Sequence, residues 1–231
     1  MTPWYRSPRQ AALRRVLTPL VRQPGPRAAL VRFVYYTEEF VERYDIAPIL
    51  PHLSDDERAA MIRHFKDEQS HARALRVYCQ KEGLPIERSA AEDALIRRSD
   101  EGYAQYLRHL DPATNRFTPT EMYAYYAHVH VQEELADELY SAVADTLDTE
   151  GHHPKLVRIL RAFAESEREH QGYAGEFMAS YQRRLGARHC RRVLRRTRVD
   201  SAISGARFFR DFLRLLVTEH QLRPGLLGLA L

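Results

Sequence analysis

Between residues 156 and 181 the side chains Leu156, Leu160, Phe163, Ala174, Phe177 and Tyr181 recur at alternating steps of three and four, the spacing of one buried helix face. Two places in that series are not apolar, and they hold Glu167 and His170. Residues 61 to 78 repeat the arrangement, with Met61, Phe65, Ala72, Leu75 and Tyr78 framing Glu68 and His71. Residues three apart stand one turn apart on the same side of a helix, so both Glu-x-x-His pairs turn inward. A buried carboxylate without a partner costs several kcal/mol. The fold must therefore neutralise these groups, either by arginine or by a cation held among them. No arginine interrupts either stripe: Arg63, Arg73, Arg76, Arg158, Arg161 and Arg168 fall mostly on other faces.

The rest of the chain reads as helix throughout, and no segment alternates with a strand period. "RQPGPR" (22–27) separates a short basic N-terminal helix from a long one expected from about Ala28 to Ala47. Ser54 with Glu57 forms a capping-box signature that opens the next helix, which Gly83 and Pro85 end near Glu82. Residues 84 to 118 make a longer crossover with a short helix near Ala91–Leu110. A third long helix starts at a Thr118 or Thr120 cap and runs to about Leu147; a fourth runs from Pro154 to Leu185, before Gly186. Two short turns and one long crossover are the connections of a four-helix bundle. The expected organisation is an N-terminal extension (1–27), the bundle (28–186), and a basic amphipathic tail (187–231) of one or two helices.

The two remaining bundle helices supply further inward carboxylates by the same face test. Glu38 shares its face with Val31, Val34 and Val41, whereas Glu39 lines up with Arg32 and Arg43. Glu133 lies with Tyr126, Val129, Ala136 and Tyr140, whereas Glu134 groups with Asp137 and Glu138. Glu38 precedes Glu68 by 30 residues and Glu133 precedes Glu167 by 34. Two hairpins would each give Glu plus Glu-x-x-His, as approximate repeats about a twofold axis. The expected metal ligands are Glu38, Glu68, His71, Glu133, Glu167 and His170. Carboxylate oxygens with imidazole and no thiolate suit iron or manganese. His130, one turn before Glu133, is either an extra donor or a hydrogen-bonded core histidine, and the second is the expectation. Tyr35, Tyr126 and Tyr140 are expected core residues of the same interior.

On "TEE" (37–39), "DEQSH" (67–71), "QEE" (132–134) and "SEREH" (166–170), the chain resembles the ferritin-like superfamily of di-iron carboxylate proteins over about residues 28 to 185. That superfamily includes bacterioferritin, rubrerythrin, ribonucleotide reductase small subunits, acyl-carrier-protein desaturases and multicomponent monooxygenase hydroxylases. The resemblance implies an all-α ferritin-like bundle holding two iron ions, with manganese or a mixed manganese–iron pair as the alternative. It implies that Glu68 and Glu167 bridge the ions, that Glu38 and Glu133 are terminal, and that His71 and His170 take one ion each. Family members often carry Asp before each pair to hold a ligand imidazole; Asp67 fits, but the second copy has Ser166. The histidine concerned would then be held differently, or by Glu165 or Glu42, and the two positions would be unequal.

Such a centre serves three classes of protein. A dioxygen-activating oxygenase or desaturase, with an organic or carrier-bound substrate and an external electron donor, is the leading expectation. A ferroxidase or peroxidase and a metal-containing binding module are the alternatives. The chain adds 27 residues before the bundle and about 45 after it, more than a shell-forming ferritin subunit carries, and it has no Cys-x-x-Cys pair for a rubredoxin-like domain.

The net charge is +4, with the densest basic run at "RRVLRRTR" (191–198), read first as a solvated helix face. There is no strong nucleic-acid signal. The tail is expected to pack on the bundle; a homodimer contact, a peripheral membrane surface or an acidic carrier protein are its other uses. Two cysteines, Cys79 and Cys190, exclude a disulfide framework, and a reducing, cytoplasmic setting is expected. No run of about 18 apolar residues provides a spanning helix.

Overall fold

The structure is a computed structural model of the chain, and it describes residues 8–39, 45–107, 117–220 and 222, less the side chains of residue 8 and of 99–107. The described residues are helical, with no strand among them. The helices are α1 (Pro8–Arg22), α2 (Pro24–Glu39), α3 (Asp55–Lys81), α4 (Ala90–Leu107), α5 (Pro119–Thr149), α6 (Pro154–Leu185) and α7 (Ala187–Glu219), with a 3-10 turn at Leu50–His52.

Local chemistry sets most of these limits. At the start of α3, Ser54 Oγ accepts from the Glu57 amide at 3.4 Å and Glu57 Oε2 accepts from the Ser54 amide at 3.1 Å. Thr118 and Glu121 make the same reciprocal pair at α5, which selects Thr118 over Thr120 as the cap. Gly186, at φ +82°, separates α6 from α7 in a conformation that favours glycine.

The expected start of the first long helix is corrected. It begins at Pro24, not near Ala28. Pro24 and Pro26 sit in its first turn, where a backbone N–H has no helical partner to lose. Its expected end at Ala47 is corrected too, since Asp45 and Ile46 are irregular and the Ala47 amide donates to Asp45 Oδ1 at 2.9 Å. Val41, Glu42 and Arg43 lie outside the described residues.

α5 and α6 form one long hairpin, α2 packs on α3, and α3 crosses α6. The terminal helices lie against this set. α1 packs on α5 and α2 through the fully buried Leu17, Leu20 and Val21, with Arg9 paired to Glu138 at 2.9 Å. α7 is a single helix whose later turns bury Phe212, Leu213, Leu215 and Leu216 against the body. Its earlier turns expose Arg191, Arg192, Arg195, Arg196 and Arg198, the solvated face expected of the basic run.

Because α1, α4 and α7 all touch it, α2 is buried from Ala29 to Tyr36 on every side. Arg32, read from the sequence as outward, is only 8% exposed and is ion-paired with the buried Glu92 of α4. Helical period cannot identify an outward face where a helix has none.

The apolar interior falls into two clusters. One gathers α1, α2, the end of α3 (Leu75, Tyr78), the end of α5 (Tyr140–Leu147) and the start of α6 (Leu156–Ala164). The other gathers Ile49, Leu53, Met61, the start of α5 (Met122–Val129), Ala174 and Met178. A layer of buried polar side chains lies between them. Cys79 and Cys190 are both free and buried. Among the described residues no helix is long and apolar enough to cross a membrane.

Candidate metal centre

All six side chains expected as ligands are buried, between 1% and 9% exposed, and they converge on the layer between the apolar clusters. Their outward neighbours serve elsewhere: Glu134 pairs with Arg198 at 3.3 Å and Asp137 with Arg168 at 2.7 Å. Glu39 accepts from the Tyr35 hydroxyl at 3.0 Å and pairs with Arg88. The face test therefore separated inward from outward glutamates on both α2 and α5.

The buried groups form two sets, each with its donor atoms within 4.8 Å of one another: Glu38, Glu68, His71 and Glu167, and His64, Glu68, Glu133 and His170. Glu68 belongs to both. Its Oε2 lies 3.9 Å from His71 Nδ1 and its Oε1 3.5 Å from His170 Nδ1. Glu167 spans the same two imidazoles, with Oε1 3.4 Å from His71 Nδ1 and Oε2 3.0 Å from His170 Nδ1. Glu38 reaches only the His71 side, at 3.5 Å.

His64 belongs to the centre and was missed in the sequence. Its Nε2 lies 3.2 Å from both Glu68 Oε1 and Glu133 Oε1, its ring stands 4.2 Å from that of His170, and its Nδ1 meets the Tyr173 hydroxyl. The signal was present: 61, 64, 68, 71, 75 and 78 are one unbroken three-and-four series. His64 stands four residues before Glu68 and outside the Glu-x-x-His pattern, so the pattern alone does not mark it.

The buried carboxyls and imidazoles of the layer shift one another's protonation. Burial pushes the Glu38 carboxyl well above its ordinary range, and Glu68 beside it adds to the effect. Burial likewise carries Glu133 up to about 8, against hydrogen bonding from His64. For His170, burial favours the neutral ring, but the hydrogen bonds to Glu167 and Glu68 outweigh it and raise the pKa to about 11. Glu133 and Glu68 raise His64 to about 9 in the same way, also against burial. Burial would raise Glu68, yet hydrogen bonds from His170 and His64 hold it well below the usual carboxylate range.

This donor set fits a dication better than it fits protons. Glu38 Oε2 and His71 Nδ1 are buried with no hydrogen-bond partner although they lie 3.5 Å apart, and buried polar atoms are rarely left so. Among the described residues no arginine or lysine pairs with any of the four glutamates, so nothing of fixed positive charge offsets them. Each of the two sets offers four oxygen or nitrogen donors of the kind that iron, manganese and zinc accept.

Neighbouring groups orient the rings. His170 presents Nδ1 to the centre while its Nε2 reaches Asp67 Oδ2 on α3 at 3.3 Å. The matching position before the second pair is Ser166, which is half-buried, and Glu165 is exposed. Phe163 stacks on the His71 ring, with centroids 3.9 Å apart, and Tyr140 meets Phe163 edge-on. His130 stands apart from both sets and donates from Nδ1 to the Gln171 carbonyl at 3.2 Å; it is hydrogen-bonded as expected but half-buried rather than in the core. The Tyr35 hydroxyl is held between Glu39 and Arg76, and Tyr126 stacks with Phe177 and Tyr181.

No protein-family model, curated protein or solved structure matches this chain.

Proposed function

We infer that the chain is a ferritin-like di-metal carboxylate oxidoreductase, in which two ions, iron in the first instance, activate dioxygen to oxidise an organic substrate. One relationship carries this reading: Glu68 and Glu167 each lie between His71 on one side and His170 on the other. Two carboxylates so placed can each reach both members of a pair of ions. Glu38 would complete one position; Glu133 and His64 would complete the other. When bound, a redox-active pair supplies the electrons and the open coordination that dioxygen chemistry requires.

The chain's own groups set the conditions for that chemistry. Asp67 and Tyr173 hold the rings of His170 and His64. The apolar clusters on either side of the layer exclude water from it, and low polarity strengthens each charge interaction inside. α1 and α7 cover faces of α5 that a shell-forming ferritin subunit would present to its neighbours, which favours the oxygenase class over iron storage.

The test is reconstitution of metal-free protein with ferrous iron under exclusion of air, followed by elemental analysis and exposure to dioxygen. About two ions per chain are expected, with oxygen uptake in excess of the iron present once a reductant is supplied. Glu68→Ala combined with Glu167→Ala should abolish the two-ion stoichiometry. Two ions retained in that variant would refute the ligand assignment. Uptake that stops when the iron is oxidised, with a large multimeric shell in solution, would move the protein to the ferroxidase class.

A further inference from the structure

The two sets of donors are chemically different. One has three carboxylates and one imidazole (Glu38, Glu68, Glu167, His71); the other has two carboxylates and two imidazoles (Glu68, Glu133, His64, His170). Glu68 is common to both, and Glu167 also reaches His170 Nδ1 at 3.0 Å, so the contrast lies in the imidazoles, one against two, and His64 makes it.

The nitrogen-rich set is also the better organised. His170 is held through Nε2 by Asp67 at 3.3 Å, and His64 is held through Nδ1 by the Tyr173 hydroxyl. With an ion on His64 Nε2, the neutral ring carries its proton on Nδ1 and donates it to the Tyr173 oxygen. Anchors of this kind fix the ring and raise the basicity of the ligating nitrogen. In the carboxylate-rich set, Glu38 Oε2 and His71 Nδ1 have no hydrogen-bond partner.

Charge does not order the two positions: with Glu68 and Glu167 spanning both, Glu38 completes three carboxylates at one and Glu133 completes three at the other. Imidazole donors favour the nitrogen-rich position, and increasingly so along the series from manganese to cobalt. An ion already seated on shared Glu68 then repels the second and takes part of its charge.

We propose that the two positions fill in order, the His64–His170 position first and the Glu38–His71 position second, and that His64 sets the order. This rests on the di-metal reading above. It adds that the pair is unequal from the first ion onward and that the chain can hold two different metals in defined places.

The experiment is a titration of the metal-free full chain with Co²⁺, followed by visible absorption and calorimetry, with bound metal counted by elemental analysis. Two steps are expected, the first at least about tenfold tighter than the second, and a smaller separation with Mn²⁺, which discriminates less among donors. Glu38→Gln should remove the second step and spare the first. His64→Gln should merge the steps while two ions still bind, and Tyr173→Phe should narrow the gap. Circular dichroism checks that each variant is folded, and Tyr173→Phe, which keeps the ring, carries the test should His64→Gln not fold. A single step of two equal ions in the unaltered protein, a separation as large with Mn²⁺ as with Co²⁺, or a separation unchanged in both His64→Gln and Tyr173→Phe would overturn the proposal and leave the di-metal reading standing. Only one ion, or none, bound by the folded, unaltered protein would sink the di-metal reading itself.

Discussion

Asp67, which precedes the first Glu-x-x-His pair on α3, lies 3.3 Å from the Nε2 atom of His170, which closes the second pair on α6. One motif thus steadies the imidazole of the other, and the two helices are tied through these buried polar side chains as well as their apolar contacts. The Asp67 side chain is 42% exposed, so little packing is lost when it is shortened. Asp67→Ala is expected to weaken metal affinity about 10–100-fold while leaving the stoichiometry unchanged. A competition titration against a chelator of known affinity measures it.

Metal loading should release protons and strengthen with pH. Burial pushes the Glu133 carboxyl up to about 8, and, against burial, the carboxylates around His64 and His170 push those rings up to about 9 and about 11, so the cluster as a whole carries protons at neutral pH. Each must lose its proton to become a ligand. Lowering the pH raises this competition and weakens uptake; raising it through about 8 removes the Glu133 proton first. Calorimetry in buffers of different ionisation enthalpy gives the number released, and a value near zero at pH 7 would contradict the assignment.

Phe163 is 5% exposed and lies flat against the His71 ring. Phe163→Ala leaves a cavity beside the centre and is expected to cost about 3–5 kcal/mol of stability. It also frees the ring to rotate, so affinity at the His71 position should fall with it. Denaturant unfolding of metal-free and loaded protein, run side by side, separates the two effects.

The Arg32–Glu92 pair ties α2 to α4 away from the centre. Glu92 is 1% exposed, accepts from the Ser89 amide at 2.8 Å in the reciprocal pair that starts α4, and also meets His220 at 3.3 Å. Removing one partner leaves a buried charge, so Glu92→Ala should destabilise by about 3–5 kcal/mol. Replacing both Arg32 and Glu92 by apolar residues of like size should recover most of that loss. Thermal unfolding of the single and double variants decides the matter, and neither change should alter metal stoichiometry.

What could be read from the sequence follows from which forces are local. Caps need only neighbours in the chain, so Ser54 with Glu57 and the stop at Gly186 were legible, as were both ends of α6. Glu38 and Glu133 were separated from Glu39 and Glu134 because α5 and the end of α2 keep one wet side. Arg32 was misread because α1, α4 and α7 close around the middle of α2, a tertiary fact that leaves no trace in its period. The start at Pro24 was missed because proline is both a helix breaker and a favoured first-turn residue. His64 was overlooked although the series placed it inward. What the spacing could not tell was its partner, since Tyr173 comes from another helix 109 residues on.

The sheet of acids and imidazoles between the two greasy ends of the molecule has a mechanical consequence. The carboxyls of Glu38, Glu68, Glu133 and Glu167 repel one another there, even as Phe163 packs on His71 and His64 on His170. Ions seated there would rivet the ends to each other, so that the grip on metal and the rigidity of the whole rod assembly become a single property.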